Sequence, residues 1–204
     1  MKINGKNTLD IVLAGVGGQG TLVAGRLLGA VAQTLSKDVK VSEVHGMSQR
    51  GGSVITYARL GDEVFSPTVE EGRADFLLAF EELEGLRWAP LLRKGGVALL
   101  NSQHILPLPV SLGRAEYPEH IAETLGNACG GESRVVRLDA RALALEAGSP
   151  RSVNVVMLGA MAALTDLPEK VWEQAIDQVL PERLRAVNHR AFRLGYGIPG
   201  ASLL

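Results

Sequence analysis

Residues 11–20 read IVLAGVGGQG. An apolar run that closes on clustered glycines is a buried strand entering a tight turn. Leu22, Val23, Leu27, Leu28, Val31 and Leu35 then repeat at helical spacing. The stretch predicts a strand over 9–14, a glycine turn and a helix over 19–35. Gly15, Gly17 and Gly20 fit the spacing G-x-G-x-x-G, which holds a phosphate against a helix N-terminus. The spacing alone also suits a bare strand-to-helix turn or a loop buried in a subunit contact. Gln19 brings an amide that donates and accepts but carries no charge.

A dinucleotide site requires an acidic residue at the end of the second strand and another strand–helix unit beyond it. Asp38–Val44, with β-branched Val39, Val41 and Val44, predicts the second strand, and Glu43 sits where the ribose ligand belongs. The following residues, HGMSQRGG (45–52), are a polar loop, and SVITYARL (53–60) reads as a third strand. The expected helix is missing, which argues against NAD(P). Neither G-x-x-x-x-G-K-[ST] nor G-x-S-x-G occurs, so a P-loop and a nucleophile elbow are excluded.

Further along, Gly61-Asp62 predicts a turn and Glu63–Phe65 a short returning strand. DFLLAF (75–80) reads as a strand buried on both faces. A short helix over 82–93, interrupted at Pro90, is closed by Lys94-Gly95-Gly96, with a strand from Val97 to Asn101. Residues 101–118 carry three prolines and no clear pattern. A helix around Ile121–Ala128 and a strand at Val135–Leu138 follow, then a helix capped by Asp139 and stopped by Gly148. Residues 152–164, 168–179 and 181–194 predict three helices, with Pro168 and Pro181 at first helical positions and Gly195 at the last stop. The whole reads as an α/β fold: a mostly parallel sheet with flanking helices, Rossmann-like at its start. A helical C-terminal region packs on it within one domain spanning 1–204.

Composition supports this reading. The chain of 204 residues is 46% hydrophobic but only 4% aromatic, so its core is built from Leu, Val, Ile and Ala, as in parallel sheets. A net charge of −1 gives no overall attraction to nucleic acid or anionic membrane. The single cysteine, Cys129, excludes an internal disulfide and a cluster or Cys-rich zinc site held by this chain alone. The opening MKINGKNTLD is not a signal peptide, and no window has the roughly 18 apolar residues of a membrane helix. The expected location is the cytoplasm.

Two polar regions remain. SEVHGMSQRGGS (42–53) gathers Glu43, His45, Met47, Ser48, Gln49 and Arg50 among glycines that permit close approach. It is either a solvated loop or an interface or ligand segment, with Arg50 suited to a phosphate or carboxylate. Arg183, Arg185, Arg190 and Arg193 make a basic face on the last helix, read as solvated or as a subunit contact. The four histidines are dispersed, with no metal-ligand spacing.

GVGGQG (15–20) followed by SEVHGMSQRGGSV (42–54) resembles the gamma-type domain of 2-oxoacid:ferredoxin oxidoreductases, nearest to the indolepyruvate type. The resemblance continues through RADFLLAFEELEGLR (73–87), SVNVVMLGAM (152–161) and the helix around Asn188. It implies an accessory subunit of an enzyme that oxidatively decarboxylates a 2-oxoacid to an acyl-coenzyme A and passes electrons to ferredoxin. Thiamine diphosphate, magnesium and iron–sulfur clusters are then expected on a catalytic partner subunit. No catalytic residue and no metal are expected on this chain. Gly15, Gly17, Gly18, Gln19, Gly20 and Arg50 are the expected coenzyme A contacts, and His45, Met47, Ser48 and Gln49 the expected interface. Separated from its partner, the chain could pair with itself. The competing readings are a stand-alone NAD(P)-binding oxidoreductase and an assembly subunit without ligand contacts.

Overall fold

A computed structural model describes residues 7–46, 51–128 and 133–198. In chain order the elements are β1 (Thr8–Val16), α1 (Thr21–Thr34), β2 (Asp38–His45), β3 (Ser53–Gly61), β4 (Ala74–Ala79), α2 (Glu82–Trp88) and β5 (Leu92–Asn101). Then come α3 (Leu108–Ser111), α4 (Ile121–Ala128), β6 (Arg134–Leu138), α5 (Ala140–Ala147), α6 (Val153–Ala162), α7 (Glu169–Val179) and α8 (Glu182–Tyr196). The six strands form one sheet in the order β2-β3-β1-β4-β5-β6. β1, β4, β5 and β6 are parallel neighbours, whereas β3 runs against both β1 and β2.

Burial follows from this order. β4 is flanked by strands and covered on both faces, so ADFLLA is buried at every position. One face of the sheet carries a thick layer that includes α1, α5, α6, α7 and α8. The other carries a thin layer of α2, α4 and the 3-10 turn Ala89–Leu91. α6 is buried from Asn154 to Ala162, as a helix sandwiched between the sheet and α8 must be. The two helices touch backbone to backbone. A Cβ on Gly159 would lie 2.2 Å from the carbonyl oxygen of Phe192, and one on Gly195 2.0 Å from that of Val156.

Several expectations hold closely. Asp139 caps α5 by accepting from Ala142 N at 2.8 Å, and Gly148 ends it with φ 110°. The helix after β4 gives way at Ala89–Leu91, around Pro90. β2 pairs antiparallel with β3, only seven residues on, and no helix lies between them among the described residues, so the pairing is not that of the second strand–helix unit of a dinucleotide fold. Other details differ. Glu63–Phe65 is not a strand: Val64 N donates to the Asp38 carboxylate at 2.9 Å, and Phe65 is 85% exposed. Pro168 and Pro181 are N-caps, one position ahead of the helices. Gly195 lies within α8, where it permits contact with α6, and the helix continues to Tyr196. β5 starts at Leu92 rather than Val97. Gly95 and Gly96 fall at an irregularity where Ala74 and Phe76 face Leu92 and Val97.

Candidate functional site

β1 sends its helix to the thick layer and β4 sends its helix to the thin one, so the chain reverses between their carboxyl ends. Ligands of open α/β sheets bind at such a switch point. The glycine loop lies there. Gly18 and Gly20 have φ of 101° and 83°, which side-chain-bearing residues rarely adopt. Gln19 folds back into the reversal: its Oε1 accepts from Val16 N at 2.7 Å, and its Nε2 donates to Phe80 O at 2.9 Å and Gln103 Oε1 at 3.3 Å. Gly15 makes room for it, because a Cβ there would stand 2.8 Å from Gln19 Oε1. Gly17 N donates to Gly52 O at 3.0 Å and ties the loop to the start of β3.

Glu43 and His45 share the α1 face of β2, as their spacing of two requires. The Glu43 carboxylate accepts from Thr56 Oγ1 at 3.0 Å and Thr21 Oγ1 at 3.3 Å and pairs with His45 Nε2 at 2.6 Å. Glu43 is therefore held by protein groups rather than presented to a ribose. The His45 imidazole is 55% exposed at the end of β2. Met47, Ser48, Gln49 and Arg50 lie outside the described residues.

Two clefts open at this end of the sheet. The first, of about 510 Å³, lies in the thick layer. Gly18, Gln19 and Gly20 form one wall, while Gly15 and Gly17 stand behind it. Asn154 crosses to this wall and donates to Gly20 O at 3.2 Å. The opposite side carries Arg141, Arg151 and Arg183, and among the described residues no carboxylate lines the cleft. The basic face expected on the last helix is thus divided. Arg185 donates to Leu180 O at 3.1 Å, Arg193 pairs with Glu173 at 2.6 Å, and Arg183 turns to the cleft.

The second cleft, of about 530 Å³, lies in the thin layer and includes Glu82, His104, Tyr117 and Arg137. Its floor is the FEELEG turn into α2. Glu81 is 1% exposed; it accepts from Tyr117 Oη, from Ile105 N at 3.1 Å and from Glu84 N at 2.9 Å. Glu82 pairs with His104 at 2.7 Å and Arg137 at 2.6 Å. Glu84 accepts from Ser53 Oγ and pairs with Arg87 at 3.2 Å. Burial, then the hydrogen bond to Glu81, pushes the Tyr117 hydroxyl well above its ordinary titration range, so it remains a donor. These contacts, through His104, Ile105 and Tyr117, anchor residues 101–118, which carry no clear pattern in the sequence. Among the described residues, no group of three or more His, Cys, Asp or Glu could hold a metal ion. No helix there is long and apolar enough to cross a membrane.

The family described as "Pyruvate ferredoxin/flavodoxin oxidoreductase" matches residues 10–198. The chain is 43% identical over 190 residues to "Indolepyruvate oxidoreductase subunit IorB" of Thermococcus kodakarensis, covering 91% of this chain and 93% of that one. Against the protein of the same name from Pyrococcus horikoshii, identity is 44% over 191 residues, with coverage of 91% and 93%. The fold matches the crystal structure of the keto/oxoacid ferredoxin oxidoreductase gamma subunit from Geobacter sulfurreducens PCA. The TM-score is 0.71 at 25% identity, covering 95% of this chain and 99% of that one. By sequence and by fold, this chain is a gamma-type subunit belonging to the pyruvate ferredoxin/flavodoxin oxidoreductase family.

Proposed function

We propose that this chain is the accessory subunit of a ferredoxin-dependent indolepyruvate oxidoreductase, completing an active site whose reacting centre is on a catalytic partner. The observation that carries this reading is near full-length identity of 43–44% to indolepyruvate oxidoreductase subunits. The complex would convert a 2-oxoacid and coenzyme A to an acyl-coenzyme A and carbon dioxide, with two electrons leaving for ferredoxin. Thiamine diphosphate supplies the electron sink for decarboxylation. The donor set here does not suit that cofactor's magnesium or an iron–sulfur cluster: the chain has one cysteine and no clustered ligands among the described residues. Those groups belong to the partner.

The contribution of this chain is then binding and shape. Gly15 to Gly20 form the edge of the composite site. Gly18, Gln19 and Gly20 bound the cleft that receives coenzyme A, with Gly15 and Gly17 setting the loop's path. His45 and the segment through Arg50 face the catalytic subunit, and Arg50 is a further phosphate contact. Co-expression with the cluster-bearing partner tests the assignment. The complex should reduce a ferredoxin or viologen acceptor with indolepyruvate and coenzyme A, and with pyruvate far more slowly. A stable complex that prefers pyruvate would overturn the substrate assignment. In calorimetry of that complex, Arg50→Ala should weaken coenzyme A binding about tenfold; unchanged affinity removes Arg50 from the site.

A further inference from the structure

Residues 105–113 read ILPLPVSLG, nine positions without a charge. They lie in the connection from β5 to α4 and stand outside the core. Leu106 is 55% exposed, Leu108 71% and Leu112 55%. α3, the single turn Leu108–Ser111, buries no residue. Among the described residues, none of 106–112 joins a hydrophobic cluster of the fold. Single exposed leucines are ordinary on a protein surface. Three within seven residues, interleaved with Pro107, Pro109 and Val110, make an apolar knuckle.

The knuckle is built to hold its shape. Its base is tied to Glu81 and Glu82 from both limbs. Ile105 N donates to Glu81 Oε1 at 3.1 Å, Gln103 O accepts from Glu82 N at 3.2 Å, and Tyr117 Oη donates to Glu81 from the returning limb. The rings of His104 and Tyr117 stack at 4.7 Å between them. Above the base, the turn satisfies its own backbone. Ser111 N donates to Pro107 O, Leu112 N to Leu108 O and Gly113 N to Val110 O, each at 3.0 Å. Gly113, with φ 68°, ends the turn. The spacing of four puts Leu108 and Leu112 on one side of it. An apolar projection ordered in advance loses little further freedom when it docks.

Its position selects what covers it. β1, β4 and β5 are parallel, so the knuckle leaves the sheet at the same end as the glycine loop. Gln103, at its base, lies 3.3 Å from Gln19 of that loop. β2 and β5 fall on opposite sides of β1 in the sheet, so the end of β2 at His45 and the knuckle straddle the glycine loop. A partner that brings a reacting centre to that loop meets both. A second copy of this chain is a poorer occupant. A stable interface takes about 20–30 residues a side, and so short a projection is a knob that needs a groove rather than a face that matches itself.

We propose that residues 105–113 are a docking knuckle for the catalytic subunit, with Leu106, Leu108 and Leu112 seated in an apolar groove of that partner. The identity of the partner rests on the proposed function. The knuckle supplies a second attachment, on the far side of the glycine loop from His45, and contributes affinity rather than chemistry.

The test compares the isolated chain with the complex. Amides of 106–113 should exchange more slowly once the catalytic subunit is bound. Leu108→Asp and Leu112→Asp combined should leave the unfolding midpoint of the isolated chain unchanged, because both side chains are exposed. Its Kd for the catalytic subunit should rise about a hundredfold or more. Leu108→Met, which keeps the apolar volume, should cost much less. With the partner saturating, kcat of the double variant should match the wild type. Amide exchange unaltered by assembly, or an unchanged Kd in the folded double variant, overturns the inference and leaves the proposed function standing. A Kd that holds while kcat falls overturns it as well, because the leucines then act on the reaction. Self-association of the isolated chain that the double variant abolishes, with affinity for the catalytic subunit intact, makes a second copy the occupant and overturns the assignment. A wild-type chain that forms no complex with a thiamine- and cluster-bearing subunit overturns the proposed function itself.

Discussion

The two clefts lie at the same end of one sheet and are nearly equal in size, about 510 and 530 Å³. They use charge in opposite ways. In the thin layer, three buried glutamates each have a designated partner: Tyr117 for Glu81, His104 and Arg137 for Glu82, and Ser53 and Arg87 for Glu84. A buried carboxylate without such partners would be strongly destabilising. In the thick layer, three exposed arginines have no ion-pair or hydrogen-bond partner for their guanidiniums among the described residues. The lesson is that the conspicuous ionic cluster is structural, whereas the inconspicuous unpaired one is available to a ligand. Sheet and loop join them: Gln103 touches Gln19 on one side and accepts from Glu82 N at 3.2 Å on the other.

The largest effect should come from the wall that shapes the arginine cleft. Gly195→Ala places a Cβ into the Val156 carbonyl oxygen, a backbone atom that cannot rotate away. α8 must shift off α6, carrying Arg183 and Asn188 with it. We expect a loss on the order of 3 kcal/mol or more by denaturant titration, with failure to accumulate folded protein as the limiting case. A change below 1 kcal/mol would show that the helix pair is looser than the structure indicates.

Glu81→Ala attacks the other cleft. It strands Tyr117 Oη and the amides of Ile105 and Glu84, whose partner it removes. A loss of about 3 kcal/mol is expected, accompanied by faster amide hydrogen exchange across 102–120. Exchange that stays slow there would mean other contacts hold the segment.

Tyr117→Phe is milder, about 1–2 kcal/mol, and carries a pH signature. The folded state holds the Tyr117 proton above the usual value of 10.0. The unfolded chain releases it near 10, so above that pH the native state binds more protons and its stability falls as pH rises. The hydroxyl's contribution is complete below pH 10 and declines above it. Tyr117→Phe should flatten the alkaline limb of the stability curve. An unchanged slope above pH 10 would assign that limb to other groups.

The same contrast explains what could be read from sequence. Strand, glycine turn and helix over 9–35 are legible because apolar period and φ requirements are local. So are Asp139 and Gly148, whose capping chemistry acts within a few residues. The insertion of β3 between β2 and β1 is not legible, since strand order depends on pairing across the chain. Gly195 looked like a helix stop because its constraint comes from Val156, far away in sequence. The FEELEG acids read as an ordinary helix start, although each is bound by residues 22 to 55 positions distant or by its own turn. The arginine cleft left one usable signal: Asp139-x-Arg141, Ser149-x-Arg151 and Pro181-x-Arg183 each place a cation two residues after a helix-start residue.

That signal yields the smallest and most discriminating effect. Removing one of these arginines from the subunit without ligand eliminates an unfavourable cation at a helix N-terminus and no ion pair. Arg141→Gln or Arg183→Gln should therefore stabilise the isolated chain by about 0.3–1 kcal/mol at low salt, with the gain shrinking as salt screens it. Removing a thin-layer charge has the opposite sign: Arg137→Gln leaves Glu82 with His104 alone and should destabilise. Paired measurements on Arg183→Gln and Arg137→Gln place both variants on one stability scale. If both destabilise, the cleft arginines serve the fold through contacts of their own. If only Arg137→Gln does, their cost to the folded chain is offset when an anion binds between them.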